Sequence, residues 1–231
     1  MKSKITITPY IRNIILALPL YILSIVPFIA LAIVLDIEID TGYVLLGALG
    51  WWLALLLRLP LILYSKTKKL DFNVSNKLII GASGPTEEIT RLVLLATIGI
   101  TTGNAYSVGI GWASIEVIYG LVQIIGMGIL QQKNDKEAKE AKSLMKQMGM
   151  EKSLEPSTPF WGALERVSAG AIHIGLSLML VLSPLIVLIT IPLHSFVNFS
   201  VVRMNKQSII KSQLSILLLG IIILLTGILI S

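Results

Sequence analysis

The residues best able to do chemistry in this sequence sit where charge is least welcome. The two histidines, His173 and His194, and the acids Glu87, Glu88, Glu116 and Glu165 lie inside long apolar stretches, as do Arg58, Arg91, Arg166 and Asn198. Two imidazoles with nearby carboxylates make a donor set suited to zinc, with one coordination position left for water. A glutamate that does not bind the metal can then take the proton of that water. A charged side chain near the centre of a membrane helix costs about 2.5–3.5 kcal/mol even on the most lenient scale. Left unpaired, these glutamates and arginines would together cost roughly 15–25 kcal/mol. They persist only if they face one another, water or a metal ion.

Spacing says which of them can meet on one helix. Arg91 is i,i+3 from Glu88 and i,i+4 from Glu87, so it can neutralise either carboxylate. Arg166 and His173 are seven residues apart and share a face, while His194 and Asn198, i,i+4, can point into one cavity. Arg91, Glu165 and Arg166 read as supporting ion-pair residues around the site. Arg58, followed by Leu59-Pro60, reads as snorkelling toward the membrane surface. Trp112 and Tyr119 read as packing residues. Gly84-Pro85 before Glu87, and Pro192 before His194, interrupt the helical ladder, which is tolerated at depth where backbone lines a cavity.

The elements that hold these residues follow from composition. Of 231 residues 55% are apolar and 14% charged, with a mean hydropathy of +0.84 and no cysteine. Soluble domains carry about 25% charged residues, so a soluble enzyme, a secreted module and a disordered tail are excluded, as are disulfides and thiolate sites. Stretches of about 20 apolar residues mark membrane-crossing helices. They run over Asn13 to Leu35, Tyr43 to Tyr64, Leu78 to Ile100, Ala105 to Leu130, Phe160 to Leu182, Pro184 to Val202 and Ile209 to Ile230. The first is too long for a signal peptide and reads as a retained anchor. The expected fold is therefore all-α, a polytopic membrane helix bundle of about seven helices. It is read as a single integral membrane domain over 1–231, with a motif-bearing core over 78–203.

Charge sets the orientation. Lys2, Lys4 and Arg12 precede the first span, Lys66, Lys68, Lys69 and Lys77 follow the second, and Arg203, Lys206 and Lys211 lie between the sixth and seventh. Residues 131–158, a connection rich in lysine, alternate Lys136, Glu137, Lys139, Glu140 and Lys142, run on through Leu144, Met145 and Met148, and read as a cytoplasmic helix ending by Pro156. The other three connections hold no Lys or Arg. All the basic segments then fall on the cytoplasmic side, with the N-terminus inside and Ser231 outside a cell membrane. The net charge of +6 is accordingly read as facing anionic lipid and not nucleic acid. At about 1.5 Å per residue, Glu87 and Glu88 lie roughly 13–15 Å from the cytoplasmic ends of their spans, Glu116 and His173 roughly 20 Å, and His194 roughly 12 Å. Four helices thus contribute to one mid-membrane polar layer.

The motifs in this layer resemble those of intramembrane metalloproteases of the YhfC-like, PrsW-like and CAAX-prenyl endopeptidase (CPBP) group. Pro85-Thr86-Glu87-Glu88-Ile89-Thr90-Arg91 is similar to their paired-glutamate motif, and Gly109-Ile110-Gly111-Trp112-Ala113-Ser114-Ile115-Glu116 to a glycine-rich segment ending in glutamate. Ala163-Leu164-Glu165-Arg166-Val167-Ser168-Ala169, running to His173 and Ser177, most resembles YhfC-like proteins, and His194-Ser195-Phe196-Val197-Asn198 the final His-x-x-x-Asn motif. The order matches over about half the chain. The resemblance implies zinc-dependent hydrolysis of a peptide bond in a membrane-embedded or membrane-associated polypeptide. In those terms Glu87 and Glu88 activate water, His173 and His194 hold zinc, and Asn198 stabilises the oxyanion. YhfC-like proteins carry histidine where this chain has Trp112, which makes Glu116 the expected third ligand. Two other classes use a polar midplane: a transporter or proton relay, and a membrane protein that binds a ligand without catalysis. No internal repeat of the kind common in transporters is visible.

The loop charges predict that reporter fusions after Lys69, Gly103 and Lys146 read inside, outside and inside. A translocated 131–158 segment would overturn the orientation.

Overall fold

The computed structural model describes residues 9–147, 158–205 and 207–231. Among them every regular element is helical: α1 (Pro9–Leu23), α2 (Val26–Val34), α3 (Thr41–Leu56), α4 (Leu59–Thr67), α5 (Phe72–Gly81), α6 (Ser83–Ile98), α7 (Thr102–Gln132), α8 (Lys136–Gln147), α9 (Pro159–Leu182), α10 (Val187–Asn205) and α11 (Ile209–Ile230), with a 3₁₀ turn at Pro184–Ile186. Six segments are long and apolar enough to cross a membrane: Tyr10–Val34, Thr41–Thr67, Thr102–Gln132, Pro159–Leu182, Pro184–Asn205 and Ile209–Ile230. The chain is a multi-pass membrane protein with an all-α bundle. The seventh expected stretch, Leu78 to Ile100, is split into α5 and α6 at Ala82. Glu87, Glu88 and Arg91, all buried on α6, make it the least lipid-like of the seven.

Proline explains the other breaks. Pro27 sits in the first turn of α2, just after the chain leaves α1, and Ser24 Oγ donates to the Tyr21 carbonyl there at 2.5 Å. Pro60 likewise opens α4, so α3 ends at Leu56 and Arg58 falls at the joint. Because proline has no N–H and excludes the carbonyl one turn back, each joint bends a span instead of ending it. The break before α6 places Pro85 in the first turn, where it is tolerated.

The central element is α9. Its best membrane window is 67% buried, against 17–33% for the other five. It packs between α7 and α11, with α1 against its first turns, and α3 covers the far side of α7. Small residues let these backbones approach, as membrane helices require when lipid is as apolar as leucine. A Cβ on Gly175 would lie 2.6 Å from the Ile223 carbonyl, and one on Gly227 would lie 2.6 Å from the Gly175 carbonyl. A Cβ on Gly111 of α7 would run into the Val44 carbonyl of α3. The outward faces are apolar and exposed, for instance Ile33, Leu45, Leu188 and Leu229, as a lipid-facing surface must be.

The expected helix in 131–158 is present as α8, with Lys136 and Glu140 4.0 Å apart in an i,i+4 pair. Lys142 Nζ donates to the carbonyls of Gln131 at 3.0 Å and Lys133 at 2.8 Å, satisfying acceptors that α7 leaves open at its end. Met148 and Pro156, and Lys2 and Lys4 before α1, lie outside the described residues.

Replacing Gly175 by valine should overpack the α9–α11 contact and cost about 1–3 kcal/mol. Thermal unfolding of the detergent-solubilised protein would read this as a lowered Tm.

Candidate functional site

Glu87 and Glu88 are neighbours on α6, so their side chains leave the helix in different directions. Glu87 turns toward the joint between α3 and α4 and toward α7, where Oε1 is paired with Arg58 Nη2 and Oε2 accepts from Trp112 Nε1 at 3.0 Å. Arg58 is steadied by a second donation, from Nε to Thr86 Oγ1 at 3.0 Å. Glu88 turns toward α10, where Oε1 lies 2.6 Å from His194 Nδ1 and 3.4 Å from Arg91 Nη1. Glu88 and Arg91 side chains have no solvent exposure. Arg91 also reaches α9: Nη1 donates to the His173 carbonyl at 3.2 Å and Nη2 lies 3.0 Å from His173 Nδ1. Its guanidinium stacks on the Trp112 indole, 4.7 Å from the ring centroid.

From His173 the contacts continue. His173 Nε2 lies 3.2 Å from Glu116 Oε1, which also accepts from Trp51 Nε1 at 3.1 Å. Glu116 Oε2 is 3.4 Å from Arg166 Nη1, Arg166 Nη2 is 2.5 Å from Glu165 Oε1, and Gln213 Nε2 donates to Glu165 Oε2 at 3.0 Å. An unbroken run of polar contacts thus crosses the bundle from Arg58 to Gln213. Glu87, Glu88, Glu116 and Glu165 carry one more negative charge than Arg58, Arg91 and Arg166 can offset. A proton or a cation completes the balance in a medium where net charge is expensive.

The site residues expected from the sequence are brought together. Glu87, His173 and His194 each offer a ligand atom, and these atoms lie within 4.8 Å of one another. The His173 and His194 rings are 5.4 Å apart between centroids. Glu116 is outside this trio, although it touches His173. A metal fits the donor set: nitrogen and carboxylate oxygen suit zinc, and His194 has the carboxylate behind its ring that ligating histidines use for orientation. Its Nε2 is 3.6 Å from Glu87 Oε2. Beside the histidines a cavity of about 230 Å³ is lined by Glu116, Tyr119, Arg166, Asn198 and Ile216 among others. His194 and Asn198 both line it, as their spacing predicts. Asn198 Nδ2 donates to Ser83 Oγ at 2.7 Å, which ties α10 to the start of α6.

Arg58 corrects an expectation. It does not snorkel outward; the break before Pro60 turns it inward onto Glu87. Trp112 is more than packing, and Trp51, which the sequence did not single out, acts in the same way, since each buried indole N–H finds a site carboxylate. Tyr119 does pack, on Trp51 at 5.3 Å. Gln213 was not singled out by the sequence at all. The one available signal was an amide in an otherwise apolar span, which in lipid needs a partner.

Comparison with known protein families, with curated proteins and with solved structures gives no match.

Arg58→Met removes one partner of a buried ion pair, a change that typically costs about 3–5 kcal/mol. A clear drop in Tm is expected, with Arg58→Lys recovering part of it. An unchanged Tm in Arg58→Met would mean that the Arg58–Glu87 pair adds nothing to the stability of the bundle.

Proposed function

We propose that this protein is a metal-dependent intramembrane endopeptidase of the kind its motifs resemble. The observation that carries the reading is the Glu87, His173 and His194 trio beside a polar cavity inside a membrane bundle. His173 and His194 would hold a divalent cation, zinc by its donor set, with Glu87 or Glu116 as the third ligand. Such an ion polarises the scissile carbonyl and lowers the pKa of bound water.

The rest is work for this chain's own side chains. Glu87 has both oxygens held, by Arg58 and Trp112, and is suited to fixed coordination. Glu88 has one oxygen, Oε2, with no partner among the described residues, and is the member of the pair with capacity to take a proton from water. Asn198 commits one amide N–H to Ser83 and keeps a second for the developing oxyanion. Glu165 and Arg166 line the cavity as a bound ion pair and hold Glu116 in place. The cavity runs from the histidines along the C-terminal part of α10 and the N-terminal part of α9. Those helix ends lead to the basic loops, so substrate would approach from the cytoplasmic side. The substrate class is a polypeptide segment in or at the membrane.

The unbroken run from Arg58 to Gln213 also supports a second reading, a proton relay, which requires pH-driven transport in liposomes and no metal.

Purified protein should retain zinc, and His173→Ala and His194→Ala should each lose metal and cleavage of model transmembrane peptides. Glu88→Gln should lose cleavage and keep the metal. Full metal and activity in both histidine variants would overturn the reading. Glu87→Gln and Glu116→Gln, compared side by side, identify the third ligand as the carboxylate whose loss empties the site. If it is Glu116, then Glu116→His should restore binding.

A further inference from the structure

One buried acceptor beside the cavity has no donor. Gln213, 2% exposed near the start of α11, gives its Nε2 to Glu165 Oε2 at 3.0 Å and leaves Oε1 without a partner among the described residues. Exchanging the two amide atoms would not relieve this, because Oε1 would then face a carboxylate oxygen. Gln213 is i,i+3 from Ile216, which lines the cavity, so the two share the cavity side of α11. Charge is out of balance at the same place. Arg166 is shared between two acids, with Nη2 2.5 Å from Glu165 Oε1 and Nη1 3.4 Å from Glu116 Oε2. Glu165, with 33% of its side chain exposed, is the more open of the two acids.

This end of the cavity therefore offers acceptors and lacks donors. Glu165 Oε2 has capacity for a second donor and Gln213 Oε1 for a first. The lining also holds an apolar wall of Ile172, Val197, Val201 and Ile216. An apolar wall that ends in unfilled acceptors suits a side chain with a methylene stem and a cationic head. On the reading that the site cleaves membrane polypeptides, we propose that this end of the cavity is a specificity pocket for a lysine or arginine side chain of the substrate. The head donates to Glu165 Oε2 and Gln213 Oε1, and the stem lies on the apolar wall. Glu165 precedes His173 by eight residues on α9, which places it about 12 Å nearer the basic loops at about 1.5 Å per residue. About four extended residues cover that distance. The cation then sits within about four residues of the cleaved bond, on the side of the basic loops. Membrane segments carry their lysines and arginines at that same end of the bilayer, so the pocket meets a feature that such substrates have.

The test uses the full-length protein in lipid nanodiscs. Two fluorescent transmembrane peptides differ at one position at their cytoplasmic end, lysine in one and norleucine in the other. Wild type should favour the lysine peptide by about tenfold or more, in affinity and in kcat/KM, because only that peptide fills the buried acceptors. Glu165→Gln should erase the preference. Gln213→Leu, which leaves the Glu165–Arg166 pair in place, should cut it by about threefold or more. The ratio between the two peptides is the readout, so a general loss of activity through loosened packing cancels. Equal affinity for the two peptides in wild type, or a preference that survives both substitutions, overturns the pocket. Cleavage of both peptides with equal kcat/KM also overturns it and leaves the endopeptidase reading standing. Preferential binding of the lysine peptide without cleavage of either keeps the pocket and overturns the endopeptidase. Binding of neither overturns both.

Discussion

The cost of holding charge in hydrocarbon governs this structure. Each arginine in the mid-membrane layer is met by a carboxylate, and each carboxylate by a guanidinium, an imidazole or an indole N–H. No single helix can meet this demand, because residues adjacent in sequence leave a helix on different faces. Glu87 finds its partners at the joint between α3 and α4 and on α7, Glu88 on α10 and Glu116 on α3 and α9. The polar layer is therefore also what ties these helices together at depth, where apolar contacts between them gain nothing over contacts with lipid.

Close backbone approach makes the layer possible. Side chains as short as glutamate span helix to helix only if the helices are near, and Gly111 against α3 and Gly175 against α11 allow that. Breaks in the spans do the complementary job of aiming. Arg58 leaves the joint between α3 and α4 and Glu87 follows the joint between α5 and α6, so both partners of one ion pair come from places where the helical ladder is already interrupted. Irregular backbone at membrane depth is sustained where it faces protein or a polar cavity, and here it faces the site.

The sequence made legible whatever depends on periodicity or on local spacing. Six of the seven apolar stretches, the Glu88–Arg91 pair and the shared face of His194 and Asn198 are set by distances along one helix, and these appear as expected. Long-range partners are set by which helices pack, and spacing is silent about that. Arg58 looked like a snorkelling residue because proline and the basic loop lie just beyond it, yet the same proline turns it inward. The break at Ala82 was blurred for a similar reason, since Gly84 and Pro85 mark the region but fit inside the first turn of α6. The sequence put Glu116 forward as the third ligand, yet Glu87 is the acid grouped with both histidines, because depth along a helix says nothing about direction around it.

Trp112 shows how one large side chain can organise two charged groups at once. The indole is fully buried, with its N–H edge on Glu87 and its face under Arg91. Anion at the edge and cation on the face is the arrangement that the ring's quadrupole favours. One side chain thus serves the carboxylate of one pair and the guanidinium of another, which no imidazole of half its area would do. The neighbouring helix is shaped to it: a Cβ on Gly50 of α3 would lie 2.8 Å from the indole. Position 112 is thus given over to packing and charge compensation. On the metal-dependent reading proposed above, a third protein ligand would be a carboxylate, since the chain has two histidines and no cysteine. Glu87, oriented by this same indole, and Glu116, oriented by Trp51, are the two that reach the histidines. On that reading, each tryptophan would hold in place an acid able to complete the donor set.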